Sequence, residues 1–493
     1  MIKLLIDTLS DMAKEGSQFA LDAISGLDKK QNLLSAKFGK ESSLLSRRNE
    51  GLSLTGTKFL SIQKSKEHVM FFGPSGSGKT TVCLIPSAIN IASSKTDSSM
   101  IINNPSRENQ RLEPFLVKNG YTVLEFNPNE KKRSIYYNPL SRIQSATDIM
   151  KIAEMLVVKG SKKTKDFWQI KSVELICLLI EFLLDHAPKM YQNCANIFFL
   201  LQSLAGEEDT VNGLFADKAT AKQWQSYKAL IANSENTKAS IISSAISSLS
   251  FIGNSPELCD VSSIDNFDFS RLKSEKICLF LNIKTMDMEF YSSILGLFFE
   301  QLFSELMNDI PKPTDNPLFL LIDELSSIPL PSLPVVISNA RKYFSILGIL
   351  QSESQLYENY GEHSAKTILN NACKVYMSGL DTECERISKA LGEYQYYEDK
   401  DKKVLRTRKL MTAQEIRTMA KDRVIILPNG GLLPLYCKAT PFYKNRRYLR
   451  YMEMELSEDY EPEFQLEYSA QYLSLEKYKT QKDEILKEGL NTD

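Results

Sequence analysis

Short, fully apolar runs recur along this chain, each ending in polar or turn-forming residues. Val69-Met70-Phe71-Phe72 runs into a glycine-rich stretch, Met100-Ile101-Ile102 ends at Asn103-Asn104-Pro105, and Thr122-Val123-Leu124-Glu125-Phe126 ends at Asn127-Pro128. Lys276-Ile277-Cys278-Leu279-Phe280-Leu281, Pro317-Leu318-Phe319-Leu320-Leu321-Ile322 and Ile346-Leu347-Gly348-Ile349-Leu350 repeat the pattern. Runs of this kind predict strands buried on both faces, as in a parallel sheet. Helical spacing lies between them. A helix is expected from Lys79 through Val82 and Ile85, with Pro86 kinking or ending it, and another through Ile294, Leu297, Phe298 and Leu302. The predicted fold class is α/β, with a mostly parallel central sheet carrying helices on its faces.

The alternation breaks between Asp166 and Phe251. One helical pattern follows Phe167-Trp168 through Val173, Ile176, Leu179, Ile180 and Leu183; another passes through Ala239, Ile242, Ala245, Ile246 and Leu249. Strand-like runs are scarce there, so the segment reads as an inserted all-α domain. Residues 25–66 read as a small strand-rich lead-in, and Met1 to Ile24 as an amphipathic helix that packs on the surface or docks on a membrane or a membrane-bound partner. After Arg450 the chain turns acidic and reads as a solvated tail, with a regulatory or partner-docking tail as the alternative. The expected division is a lead-in over 1–48, a nucleotide-binding domain over 49–160 and 261–450, a helical insertion over 161–260, and a tail over 451–493.

Composition changes this picture little. The 493 residues are 43% hydrophobic and 25% charged, with a formal net charge of -1. Any nucleic-acid surface therefore has to be local. The eight cysteines are scattered with no CxxC pair, which argues against a zinc site or a disulfide framework and fits a reducing cytoplasm. No apolar stretch is long enough to span a membrane. Two basic clusters stand out: Lys131-Lys132-Arg133, and Lys159 with Lys162, Lys163 and Lys165. Each reads as a solvated loop or as a patch that neutralises nucleic-acid phosphates.

The chemistry is concentrated in Gly73-Pro74-Ser75-Gly76-Ser77-Gly78-Lys79-Thr80. Glycines let the backbone wrap closely around a polyphosphate, and the helix that follows points its N–H groups at the anion. Lys79 is assigned to the β- and γ-phosphates and the Thr80 hydroxyl to Mg2+, while Thr81, counted with the nucleotide-binding loop, packs or caps. A phosphate-binding loop that hydrolyses ATP also needs an acid in the metal shell and a base for the attacking water. Asp323 and Glu324, delivered together at the end of an apolar strand, fit those two roles. Gln351, at the tip of the next strand, either senses the γ-phosphate and orients water or caps the strand end. Arg341 is either an arginine finger for a neighbouring subunit's nucleotide or a surface ion-pair residue.

From about Asn49 to Tyr443 the chain resembles the TraG-type coupling proteins of type IV secretion systems, a branch of the RecA/FtsK-like motors. The resemblance rests on Asn49-Glu50-Gly51, the loop through Thr81, Phe126-Asn127-Pro128, Tyr137-Asn138-Pro139-Leu140, Asp166-Phe167-Trp168 and Leu321-Ile322-Asp323-Glu324. It continues through Gly348-Ile349-Leu350-Gln351-Ser352, Thr367-Ile368-Leu369-Asn370-Asn371, Gly379-Leu380-Asp381, Leu391-Gly392-Glu393 and Leu410-Met411-Thr412-Ala413-Gln414-Glu415-Ile416. It implies a RecA-like ATPase domain, ATP and Mg2+, a homo-hexameric ring, and a helical insertion that faces the substrate. The implied partners are a relaxase–DNA complex or secreted effector proteins, DNA itself, and the channel components. The implied place is the bacterial cytoplasm at the inner face of the cytoplasmic membrane, with membrane contact through a partner. Two departures stand out. No transmembrane segment is visible in this sequence, and Asn104-Pro105-Ser106 stands where the family tends to carry an Asp-Pro-Lys-like motif.

Overall fold

The computed structural model describes residues 35–158, 165–232, 234–398 and 404–479. The helix expected over Met1 to Ile24 lies outside them. The chain divides into two compact units, one of Lys40–Gly379 with Ala420–Asp493, the other of Met1–Gly39 with Leu380–Met419.

The larger unit is built on a nine-stranded sheet. In chain order it opens with β1 (Val69–Phe72), a helix α1 (Ile85–Ala92), β2 (Ser99–Asn103), α2 (Glu113–Lys118) and β3 (Thr122–Phe126). A helical layer follows: α3 (Ala146–Val158), α4 (Phe167–His186), α5 (Cys194–Gly206), α6 (Glu208–Lys218), α7 (Ala221–Ile231), α8 (Glu235–Gly253) and α9 (Pro256–Val261). The sheet resumes with β4 (Ile277–Leu281), α10 (Met288–Leu306), β5 (Leu318–Ile322), β6 (Phe344–Leu350) and β7 (Cys373–Met377). It closes, after β8 (Glu393–Tyr397) and β9 (Leu405–Lys409) of the other unit, with β10 (Arg423–Leu427) and β11 (Leu435–Lys438), giving the strand order β11-β10-β7-β1-β6-β5-β2-β4-β3. Strands β1 to β7 pair in parallel; β10 and β11 join antiparallel at one edge.

Every residue of β1, β2, β4, β5 and β6 is buried, which is why these strands read as unbroken apolar runs. Val69, Phe71, Phe319, Leu321, Leu347 and Ile349 point to one face, where Ile85, Ala88 and Ile89 of α1 cover them. On the other face, Phe303 of α10 stacks on Phe344 of β6 with ring centroids 5.5 Å apart. Local signals place the helix starts. Asp166 and Gln169 form a reciprocal capping box at α4, and Thr220 and Gln223 form one at α7.

Three sequence expectations are corrected. Pro86 neither ends nor kinks the helix after the loop. Thr80–Leu84 form a wide turn in which the Ile85 N–H donates to Thr80 O, five residues back, and a regular helix then runs to Ala92. Pro86 falls at the start of that regular segment, where its missing N–H costs little. Among its described residues, 35–66, the lead-in contains isolated bridges, such as Ser46 with Phe59 and Ser53 with Phe59, and short helical turns at Glu41–Ser43 and Ile62–Ser65, rather than strands. The acidic tail is not a free solvated segment as far as Lys479. Its backbone and side chains bond to the helical layer.

His68, just before β1, has φ 60° and no exposed surface. Its Nδ1 accepts the Ile346 N–H at 3.2 Å. Burial, followed by the charge of Arg341, pushes its pKa from 6.5 down to about 3. The folded chain therefore stays unprotonated here where the unfolded chain binds a proton. This contribution to stability is full above about pH 6.5 and is lost as pH falls toward 3. Between pH 7.5 and 5.0 the loss amounts to about 2 kcal/mol. His68→Asn keeps an acceptor and tolerates positive φ, so chemical denaturation should show that much less acid destabilisation in the variant. Equal losses in both proteins would mean His68 titrates normally.

The smaller unit contains an antiparallel pair, β8 (Glu393–Tyr397) with β9 (Leu405–Lys409), and helices Cys384–Leu391 and Ala413–Arg417. The last helix begins where the sequence places it, behind a Thr412–Glu415 capping box.

Candidate nucleotide site

All the parallel strands end at one edge of the sheet, and β1 lies between β6 and β7. Loops at the carboxyl ends of such strands form the binding crevice of an open α/β sheet. The loop after β1 starts with the Gly73 N–H donating to Leu350 O at 3.3 Å, which ties it to the tip of β6. Gly76 and Gly78 have φ of 74° and 91°, a backbone region that favours glycine. The Lys79 ammonium donates to Gly73 O at 2.5 Å and Pro74 O at 3.0 Å, so it lies back over the loop. Burial lowers its pKa, while Asp323 acts in the opposite direction. Thr81 Oγ1 donates to Gly78 O at 2.9 Å and braces the loop from within.

Asp323 and Glu324 follow β5, the neighbour of β6. Thr80 Oγ1 donates to Asp323 Oδ2 at 2.9 Å, joining residues 243 apart in sequence. Asp323 is nearly buried, and burial raises its pKa against the lowering effects of Thr80 and Lys79. A hydroxyl and a carboxylate oxygen converging behind a phosphate loop form the hard-oxygen donor pair that Mg2+ prefers. Glu324 has φ 55° and ψ 50° without being glycine, a conformation that costs about 1–3 kcal/mol. Burial, then the neighbouring Asp323 charge, raises its pKa. Gln351 lies at the exposed tip of β6, and its backbone N–H donates to Gln355 Oε1 at 2.8 Å.

Arg341 stands apart from this cluster. It precedes β6, so it sits at the amino-terminal edge of the sheet, opposite its own phosphate loop. Seven residues of strand at about 3.3 Å each separate the two edges. There Arg341 Nη2 donates to Asn371 O at 3.2 Å. Sequence reading also missed Asn103 at the tip of β2. Its Nδ2 donates to Asp323 O at 2.6 Å and fixes the backbone that carries the acidic pair. An Asn at a strand end reads as a turn signal, and only the β2–β5 pairing of Asn103 beside Ile322 gives it this role.

The family model for type IV secretory system conjugative DNA transfer matches residues 18–481. The chain belongs to that family. Its relatives include Protein VirD4 of Rhizobium radiobacter, 22% identical over 424 residues, which cover 80% of this chain and 60% of that protein. The chain thus spans about three fifths of the length of that curated relative. Among solved structures, the bacterial conjugative coupling protein TrwB lacking its first 70 residues aligns with TM-score 0.63 at 18% identity. That alignment covers 83% of this chain and 94% of the other. TrwB in complex with the ATP analogue ADPNP aligns with TM-score 0.64 at 18% identity, covering 83% and 95%. The shared architecture is the RecA-like P-loop fold with its mostly parallel sheet. Among the described residues, no helix is long and apolar enough to cross a membrane.

In the first basic cluster two of the three side chains are paired with acids. Lys131 pairs with Asp260 at 2.8 Å, and Arg133 with Glu113 at 2.6 Å and Glu125 at 3.4 Å, leaving Lys132 exposed. Lys165 pairs with Glu154. Lys159, Lys162 and Lys163 lie outside the described residues.

Proposed function

We propose that this chain is an ATP-hydrolysing coupling protein. It recruits a relaxase–DNA complex or protein effectors and drives them to a type IV secretion channel. The observation that carries this is the bond between Thr80 and Asp323, which unites the phosphate loop with the acidic pair in a member of the conjugative transfer family. TrwB, of the same fold, has been crystallised with ADP and Mg2+ and with an ATP analogue.

In this reading the loop N–H groups and Lys79 hold the β- and γ-phosphates. Thr80 and Asp323 would hold Mg2+, which would neutralise charge on the phosphate oxygens. Glu324 takes the proton of the attacking water as its oxygen bonds to the γ-phosphorus and the bond to the β-phosphate oxygen breaks. Gln351 orients that water. Arg341, too far from its own loop, acts on the nucleotide of the next subunit in a homo-hexameric ring. The chain works in the cytoplasm, at the inner face of the membrane, through a partner there.

Purified protein should hydrolyse ATP only with Mg2+, and DNA should stimulate it several-fold. That stimulation should collapse between about 50 and 200 mM salt as phosphate contacts are screened. Absence of hydrolysis under all these conditions would overturn the motor reading. Hydrolysis indifferent to DNA but stimulated by a secreted protein would assign the protein arm alone.

A further inference from the structure

Residues 463–479 lie along the helical layer as a strap without helix or strand up to a short helical turn at Glu476–Tyr478. The middle of this strap is held by its backbone. Tyr136, fully buried, donates its hydroxyl to Leu466 O at 3.1 Å and accepts the Tyr468 N–H at 3.0 Å. Asp260 Oδ1 accepts the Ala470 N–H at 2.8 Å. Asn196, also fully buried, donates from Nδ2 to Gln471 O at 2.8 Å and accepts the Leu473 N–H at Oδ1 at 2.9 Å.

Each of these readers is itself fixed. Asn196 Nδ2 also donates to Asn193 Oδ1 at 3.0 Å, which sets the orientation of the amide. The second oxygen of Asp260 accepts from Lys131 at 2.8 Å. The Tyr136 N–H donates to Asn266 Oδ1 at 2.8 Å. Side-chain anchors appear mainly at the two ends of the strap: Arg271 with Glu463 at 2.6 Å, buried Leu475, and Asp217 accepting from Lys477 at 3.0 Å and Tyr478 at 2.6 Å. Between them Glu467, Ser469 and Gln471 are exposed, while the Tyr472 ring meets Phe199 edge-on with centroids 5.8 Å apart. Side chains that bond alternate N–H and C=O groups recognise an extended chain with little regard to its sequence. Buried amides and hydroxyls of this kind also need partners, so the face favours being occupied.

We propose that Tyr136, Asn196 and Asp260 form a peptide-binding face on the helical insertion, occupied in cis by residues 466–473 and open in exchange to an extended segment of a transported protein. The description of the exchanging chain as transported cargo rests on the coupling role proposed above; the ability to bind an extended peptide does not.

The test uses the full chain with a protease site inserted after Glu458, ahead of the strap. Once the site is cut, the strap loses its high effective concentration. A fluorescent peptide of residues 464–479 should then bind at least about tenfold more tightly than to uncut protein. Alanine at positions 467, 469 and 471 of the peptide should change its affinity by less than about threefold. N-methylation of the Ala470 and Leu473 amides, which removes two donors, should weaken it by about tenfold or more. A cut protein that keeps its melting temperature but binds no peptide would overturn the proposal, as would an N-methylated peptide that binds like its parent. The uncut chain gives an independent reading. Excess alanine-substituted peptide should speed hydrogen exchange at the Tyr468, Ala470 and Leu473 amides and leave β5 and β6 unchanged; unchanged exchange at those amides counts against the proposal. Peptide binding in a protein without ATPase activity would sink the motor reading alone, so the two failures are distinguishable.

Discussion

Glu324→Gln is expected to lower kcat for ATP hydrolysis by about 10²–10⁴, the contribution of a positioned general base, while ATP affinity stays within a few-fold. The substitution conserves shape and removes only the ability to accept a proton. Glu324 sits in a left-handed backbone conformation directly after Asp323, at the carboxyl edge of β5. That strained geometry persists because β5 and the Ser327 contacts around it hold it: Ser327 N and Oγ donate to Glu324 O at 2.9 and 2.7 Å. Bound ATP should still raise the melting temperature of the variant, because binding adds about 2.7 kcal/mol at a ligand concentration a hundredfold above Kd. A Glu324→Gln protein with full turnover would remove the proton-accepting role from this residue.

Lys79→Ala is expected to fail at an earlier step. Losing the ammonium should cost at least about 10²–10³ in kcat, as loss of one preorganised charge donor does, and it should weaken ATP binding as well. Among the described residues Lys79 bonds to the loop carbonyls of Gly73 and Pro74, so its truncation leaves the core strands untouched. The melting temperature without nucleotide should therefore match that of the parent, and ATP should no longer raise it. The two variants separate on that readout: Glu324→Gln binds without turning over, and Lys79→Ala does neither. Equal stabilisation of both by ATP would place the phosphate grip elsewhere.

Much of the site was legible because its parts are local. A glycine loop between a buried strand and a helix is a contiguous word, and so is an acidic pair at the end of an apolar strand. The capping boxes at Asp166 and Thr412 are likewise spelled out over four residues. Pro86 misled the reading because proline ends a regular helix, whereas here a wide turn precedes it and the regular helix starts beside it. The tail misled it because acidic, exposed side chains signal a solvated segment, yet its middle is bonded through the backbone, to which side-chain composition is blind.

By itself the sequence determined strands β1 to β6, the phosphate loop, the acidic pair and the helical character of the insertion, since apolar periodicity and turn chemistry act over a few residues; β7 to β11 were left to the fold. Only the tertiary structure decided the strand order. That order sets β5 and β6 beside β1, and so brings Asp323 to Thr80, Asn103 to the Asp323 carbonyl, and Gln351 to the edge where the loop lies. The same parallel pairing puts Arg341 at the opposite edge, away from its own loop. It also fell to the fold to bring Asn196, Asp260 and Tyr136 from three separate segments onto one stretch of tail backbone. Contacts of this kind depend on which distant residues the sheet and helices place together, and no local pattern along the chain encodes that choice.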